Sequence, residues 1–389
     1  MSKLKEVLSE KITGFPSYFK SWVKTFKGGL TVFILLILAI LPFLSMGRRT
    51  FIRALSLALI FSIFAASWDF LTGIAGQVSF GHAIFFGISG YLCAFVLKFQ
   101  AWYASFIFLF IASFFCLFVI LPKERLYLFV IFLLVSELLF LGFMSVVFLL
   151  DAMWFSIITG AIGAVFFGLL VGIPSLRFKG PYLALGTLTF NMILIKIFLM
   201  GSLAFLLFGS EGIPAIPTKL AADATVEFFI LLISMVISLI IIIQITKSKF
   251  GTVLKSIRDD EIGADASGIN TTKYKIHAFM ISALFAGLAG SFYALYIGAV
   301  NPTGNFGMIN SFFVIIMASL GGVATISGSA VGAFFFILLE FFLIEAGFLN
   351  WVYLLFSIIL IIVVRFAVNG ILRPMLERIK DLWDVLLGK

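Results

Sequence analysis

The chain has 389 residues, of which 62% are apolar and only 12% are charged, whereas soluble domains have about 45–50% apolar and about 25% charged residues. A soluble surface could not hide so many apolar side chains, so the composition excludes a soluble enzyme, a disordered chain and a nucleic-acid-binding domain. The net charge of +9 fits basic residues gathered in the cytoplasmic loops of a membrane protein. At about 20 residues per span, we expect an all-α, polytopic transmembrane bundle of about 10–12 segments, some broken or re-entrant.

Both ends of the chain carry an amphipathic pattern. In residues 1–28, apolar side chains recur at helical spacing between lysines, which predicts a helix lying on the cytoplasmic membrane surface. Residues 367–389 repeat this pattern and predict a second such helix. Residues 29–366 form the predicted transmembrane domain, and we expect both termini in the cytoplasm.

Apolar runs predict the membrane segments in chain order. They lie near residues 29–46, 54–71, 83–98, 104–121, 126–148, 154–173, 182–208, 226–245, 276–298, 307–320, 329–346 and 349–366. The polar segment 246–275 is the longest between two runs and is predicted to be cytoplasmic. Counting spans from it places Arg48, Arg49 and Arg53 outside, against the usual distribution of positive charge.

Three glycine-bearing stretches interrupt the apolar runs: Gly73–His82, Lys179–Tyr182 and Gly321–Gly328. Irregular backbone at membrane depth persists only where protein or a water-filled cavity satisfies its polar groups, and transporters build their sites from such broken helices. For the third stretch we favour close helix packing. The first also carries polar side chains that packing does not need, so it is predicted to shape a substrate path. The predicted path residues are Gly76, Gln77, Ser79, Gly81 and His82.

Polar residues inside the apolar runs are functional candidates. They include Asp69, Glu137, Asn191, Lys196, Glu340 and Glu345. Glu137, at the centre of its run, is the residue that a proton relay would need. We predict no metal site, because the two histidines and two cysteines do not lie at ligand spacing, and no catalytic residues. The chain also has no nucleotide-binding P-loop motif.

Within 246–275, apolar residues fall on one face of a predicted helix that Gly268 ends. The apolar members of this face are Phe250, Val253, Leu254 and Ile257, and Glu261 continues it. An amphipathic helix parallel to the membrane offers a docking surface for a cytoplasmic partner.

Five motifs occur in order: LTGIAGQVSFGHAIFFGISGY (71–91), LRFKGPYLALGTLTF (176–190), GSEGIP (209–214), SKFGTVLKSIRDDEIGADASGINTTKYKIHAFMISALFAGLAGSFYALYIGAVNP (248–302) and ASLGGVATISGSAVGAFF (318–335). Together they resemble the LivM-type permeases of branched-chain amino-acid ABC transporters, over about residues 55–346. The segment 100–150, mostly Phe, Leu and Ile, does not share this resemblance. The family's pattern often carries an acidic residue where this chain has Asn191.

The resemblance implies a plasma-membrane permease subunit of a prokaryote that moves branched-chain amino acids by alternating access. Its implied partners are a LivH-type second permease, two ABC ATPases that bind ATP and magnesium, and an extracytoplasmic binding protein; the chain itself would hold no cofactor. The resemblance also implies ATPase coupling through Arg258, Asp259, Asp260, Glu261 and Gly268.

Three alternatives stay open at this point. The same class of permease could carry urea, short amides, nucleosides or sugars, because specificity in ABC importers lies largely in the binding protein. A secondary transporter could instead use Glu137 as a proton relay. An intramembrane enzyme is the third alternative, against which stands the absence of an H-E-x-x-H or clustered aspartate motif.

Overall fold

The computed structural model describes residues 26–44, 48–100, 102–120, 126–175, 177–178, 180–217 and 220–348, together with 351, 354–358 and 361. In the described part, seven helical segments are long and apolar enough to span a membrane; one includes the π-helical turn after α2, and one joins α13 to α14. The prediction of an all-α polytopic bundle is therefore confirmed. Most of the predicted N-terminal helix, the predicted C-terminal helix and most of the predicted span 349–366 lie outside the described residues.

The described residues form α-helices throughout the chain. They are α1 (Phe26–Leu44), α2 (Arg49–Asp69), α3 (Ala83–Phe99), α4 (Trp102–Ile120), α5 (Leu126–Leu150), α6 (Ala152–Ser175), α7 (Pro181–Phe198), α8 (Ala204–Leu207), α9 (Ala224–Lys247), α10 (Lys249–Asp259), α11 (Glu261–Ala266), α12 (Thr271–Ile297), α13 (Pro302–Asn305), α14 (Met308–Gly321) and α15 (Ile326–Glu345). A single antiparallel bridge between Ile213 and Val300 is the β pairing within the described part.

The centre of the bundle is formed by α2, α3, α6 and α12, and α15 and α9 pack on α2. Small residues allow these helices to approach closely, as expected where lipid removes the hydrophobic drive between helices. A β-carbon on Gly168 of α6 would come 2.6 Å from the Ala283 side chain of α12. Hydroxyl groups add bonds between helices: Ser282 donates to the Ser67 carbonyl (2.7 Å) and Ser62 to the Ala330 carbonyl (2.9 Å).

Two predicted helices differ from the structure. The run 182–208 is helical as α7 only to Phe198, because the chain turns through extended backbone at Met200 and left-handed backbone at Phe208 and Gly209. The single helix expected in the 246–275 segment is divided at Asp260, whose extended backbone (φ −152°, ψ 101°) ends α10 and starts α11.

The two ends of α2 define two ends of the bundle. At its start, Arg48 lies 3.8 Å from Glu345 at the end of α15, and Tyr296 donates to the Arg53 carbonyl (3.1 Å). At its other end, the turn after α2 contacts α10 through Gly73 and Arg258. The arginines near residue 50 therefore lie at the end opposite α10 and α11, as the span count predicted.

Candidate functional site

The first broken stretch folds back along the helix that precedes it. A π-helical turn (Phe70–Ile74) follows α2, and Gly76 then reverses the chain with a φ of +70°, a backbone angle that favours glycine. The Trp68 indole donates to the Ser79 carbonyl (2.7 Å), and His82 Nε2 lies 2.9 Å from the Ser67 hydroxyl. Residues 75–82 thus re-enter the bundle beside the last turns of α2.

His82 and Ser79 are buried, and their contacts hold this stretch against α2. His82 is 0% exposed, and its ring stacks on Phe64 with centroids 5.2 Å apart. Ser79, 1% exposed, is held by its carbonyl, which accepts from Trp68. Neither side chain borders the open cavity described below.

Gly81 lies close against α7. A β-carbon there would overlap the Thr187 carbonyl group, and the neighbouring amide of Phe80 donates to the Thr187 hydroxyl (3.0 Å). The first amide of α3, on Ala83, donates to the Ser311 hydroxyl (3.0 Å). The chain itself therefore supplies an acceptor for this end of α3.

Two of the predicted path residues line a cavity of about 170 Å³ at the α10–α11 end. The cavity is lined by the glycine stretch after α2, the start of α7, helices α10 and α11, and the first turns of α12. Members that carry polar groups or backbone reversals are Gly76, Gln77, Gly180, Arg258, Glu261 and Lys275. The Gln77 amide donates back to the Ala75 carbonyl (3.1 Å). The cavity joins the first and second glycine stretches, through Gly76 and Gly180, to the predicted coupling residues.

Arg258 connects the coupling segment directly to the break. Its Nη1 donates to the Gly73 carbonyl (2.8 Å), while Nε and Nη2 donate to the Asp259 carboxylate (2.9 and 2.8 Å). A β-carbon on Gly76 would come 2.7 Å from Arg258 Cγ. The guanidinium thus bonds to the broken stretch on one side and to Asp259 on the other, and its predicted part in ATPase coupling stays a prediction.

The other predicted coupling residues shape α11. The Asp260 carboxylate accepts from the amides of Ile262 and Gly263 (3.1 and 3.0 Å), which caps the helix. Glu261 pairs with Lys275 of α12 at 2.6 Å, and the Lys275 side chain is 8% exposed. Gly268 reverses the chain after α11 with a φ of +82°.

The third stretch touches the first, a contact that the sequence analysis missed. Asp69, the last residue of α2, is 0% exposed and accepts through Oδ1 from the Ala324 amide (2.6 Å). Gly322 has a φ of +103° and Ala324 of +65°, so the chain turns sharply before α15. Close packing of Gly321 against Gly328 and of Gly332 against Met317 fits the packing role expected for this stretch. The available signal was Asp69, a polar residue at the end of an apolar run.

Among the described residues, no group of three or more His, Cys, Asp or Glu side chains could hold a metal ion. Cys93 and Cys116 are buried free thiols.

A helical membrane bundle whose broken helices meet the short amphipathic helix α10 at one end is a multi-pass architecture suited to transport. The family model for "Branched-chain amino acid transport system / permease component" matches residues 50–364. Because that match covers more than half of the chain, the chain belongs to this family of transport permeases.

Relatives in the family differ in their cargo. The chain is 31% identical over 186 residues to the high-affinity branched-chain amino acid permease LivM of Salmonella typhimurium and of Escherichia coli, covering 41% of this chain and 43% of each relative. It is 29% identical over 188 residues to the autoinducer 2 import permease LsrC of Yersinia pestis, covering 46% of this chain and 50% of that one. The match thus spans less than half the length of the LivM relatives, and no solved structure matches the chain.

Proposed function

We propose that this chain is one permease subunit of an ABC importer that moves branched-chain amino acids across the plasma membrane of a prokaryote. Two ATPase subunits bind at the α10–α11 end, a LivH-type permease completes the membrane pair, and an extracytoplasmic binding protein delivers the amino acid at the other end. ATP and magnesium belong to the ATPases. Family membership and the LivM relatives support this proposal.

One observation carries the mechanism: the Arg258 guanidinium donates to the Gly73 carbonyl. A movement of α10 is therefore delivered to the broken stretch without passing through a flexible loop. Ile262, 79% exposed on α11, offers an apolar contact beside Asp259 to a docked ATPase. Closure of the ATPases shifts α10 and α11, and the break after α2 moves with them, which biases the bundle between inward-facing and outward-facing states.

The orientation follows from this arrangement. With α10 and α11 in the cytoplasm, Arg48, Arg49 and Arg53 face the outside, where their side chains can reach lipid headgroups. Both termini are proposed to be cytoplasmic, as the span count requires.

Proteoliposomes with the co-purified complex test the class and the cargo. We expect uptake of labelled leucine, isoleucine or valine that needs ATP and the binding protein and that survives an uncoupler. Uptake that survives ATP depletion but collapses with the uncoupler would instead identify a proton-driven transporter. Because the LsrC relative is named for a different cargo, competition by urea, a nucleoside, a sugar and autoinducer 2 shows whether this chain belongs to the same class with another substrate.

An Arg258→Ala variant tests the coupling contact. Loss of a hydrogen bond from a charged group corresponds to about a tenfold change, so uptake per ATP hydrolysed should fall about tenfold while the ATPases still co-purify. Lys249→Ala is the matched control, since it removes an exposed cation from the same helix away from Gly73. Unchanged coupling in Arg258→Ala would reject this mechanism.

A further inference from the structure

The carboxylate of Asp69 lies at the junction of the two broken stretches and of the coupling segment. It is fully buried between α2 and α15, where isolated charges are costly. Oδ1 accepts from the Ala324 amide at 2.6 Å, in the turn that precedes α15. Oδ2 makes no hydrogen bond of standard geometry with the described residues.

Gly73 lies between this carboxylate and the coupling arginine. A β-carbon on Gly73 would overlap Asp69 Oδ1 and come 2.8 Å from the α-carbon of Ala324, while the Gly73 carbonyl accepts from Arg258 at 2.8 Å. The contacts therefore form an unbroken series from α10, through Gly73 and Asp69, to the start of α15.

The start of α15 has no cap of its own. The side chain of Thr325, which precedes the helix, does not cap it but donates to the Gly322 carbonyl. A negative charge at the N-terminus of a helix is favoured by the free amides and the helix dipole. Asp69 supplies a carboxylate near this helix end from a different helix. Its Oδ1 accepts from Ala324, two residues before α15, so the end of α2 holds the turn that leads into α15.

We propose that Asp69 is a positioning residue for transport, which ties the start of α15 to the break after α2 so that both move with the coupling segment. The proposal rests on the ATP-driven function proposed above. A packing role alone would be met by an apolar residue, whereas a buried carboxylate with one well-made hydrogen bond is retained at a cost in stability.

The test compares Asp69→Ala and Asp69→Asn in the reconstituted complex, with uptake per ATP hydrolysed as the readout. Asp69→Asn keeps the shape and one acceptor oxygen but loses the charge. We expect complexes of normal composition with basal ATPase activity retained, and coupling reduced about tenfold in the alanine variant and less in the asparagine variant. Ala324→Gly is a matched control that keeps the amide donor and relieves the positive φ, so it should couple as the wild type does. Glu340→Gln, which removes a carboxylate from the other end of α15, should also leave coupling unchanged.

A cross-link between cysteines placed at Thr72 and Val323 gives a second, independent readout. Wild-type complexes should cross-link equally well with and without trapped ATP, because the two breaks move together, and Asp69→Ala should make the yield depend on nucleotide.

Coupling within about twofold of wild type in both Asp69 variants would overturn the proposal, since even about 1 kcal/mol changes an equilibrium about fivefold. Failure of both variants to assemble, or equal losses of uptake and ATPase activity, would also overturn it by showing a purely structural role. Wild-type complexes without ATP-driven uptake would reject the proposed function instead, and the cross-link would still test the Asp69 contact.

Discussion

The segment Arg49–Ile74 and the hairpin formed by α4 and α5 are both apolar, yet they lie in opposite surroundings. In the first, 94% of the most apolar 18-residue stretch is buried inside the protein. In the hairpin, only one side of each helix is buried against the protein. Large side chains on the other side are exposed, such as Ile107 (62%), Leu138 (75%) and Leu139 (69%). The hairpin contacts the rest of the bundle mainly through α6.

Side-chain size and polarity explain this difference. The inward faces of α2 carry alanines and serines such as Ala58, Ser62 and Ser67, which permit close approach. The Ser62 hydroxyl donates to α15, and Ser282 of α12 donates to the Ser67 backbone carbonyl. The hairpin carries Phe and Leu, which lipid accepts as readily as protein does. In a membrane, apolarity by itself does not drive helices together, so small and polar residues mark the packed faces.

The largest expected effect comes from filling a glycine in the packed centre. A β-carbon on Gly290 of α12 would overlap the Phe86 carbonyl oxygen of α3, and overpacking of this kind costs about 1–3 kcal/mol or more. Gly290→Ala should therefore lower the unfolding free energy, measured by titration with a denaturing detergent and tryptophan fluorescence, and reduce the yield of assembled complex.

Gly142→Ala in α5 is the matched control. A β-carbon there meets nothing within 4 Å, and alanine is the better helix former by about 0.5–1 kcal/mol. Stability should stay the same or rise slightly. Equal destabilisation by the two variants would contradict the division into a packed centre and a lipid-facing hairpin.

A smaller effect is expected at the edge of the packed centre, where Glu261 pairs with Lys275. Because the Glu261 side chain is 42% exposed, solvent reduces the value of the pair to about 1 kcal/mol, which corresponds to a change of about fivefold. Glu261→Lys, which also places a second cation beside Lys275, should lower uptake by at least that factor. The exchanged double variant, Glu261→Lys with Lys275→Glu, should recover most of it, and a double-mutant cycle measures the coupling. Additive losses would show that the two residues act separately.

The sequence predicted the helices better than the contacts between their breaks. Apolar runs located α3 within one or two residues, because hydropathy is a local property. Asp260 interrupts the predicted coupling helix because its side chain caps α11. The apolar spacing of this segment fits one continuous helix as well as two short ones, so it could not predict the interruption. The contacts of Gly73 with Arg258 and of Asp69 with Ala324 join residues far apart in the chain, so local patterns could not show them.

The predicted path residues show the same limit. Glycines at 76 and 81 were recognised as exceptional, but the reasons differ: Gly76 adopts left-handed backbone beside Arg258, and Gly81 approaches the Thr187 carbonyl. His82 and Ser79 hold the stretch after α2 against that helix. Their polarity by itself does not distinguish this structural role from contact with a substrate. Their part in a substrate path stays a prediction.

The smallest effect is expected in the hairpin, at Glu137. This residue is 1% exposed and accepts through Oε2 from the Ser113 hydroxyl of α4 at 2.9 Å, a contact between α4 and α5 that lies apart from the three broken stretches. Hydrogen bonds between membrane helices contribute about 0.6 kcal/mol on average. Glu137→Gln and Ser113→Ala should therefore each change the unfolding free energy by less than about 1 kcal/mol and leave ATP-driven uptake unchanged. A collapse of uptake in Glu137→Gln, with assembly and ATPase activity retained, would give the hairpin a direct part in transport and revive the proton relay.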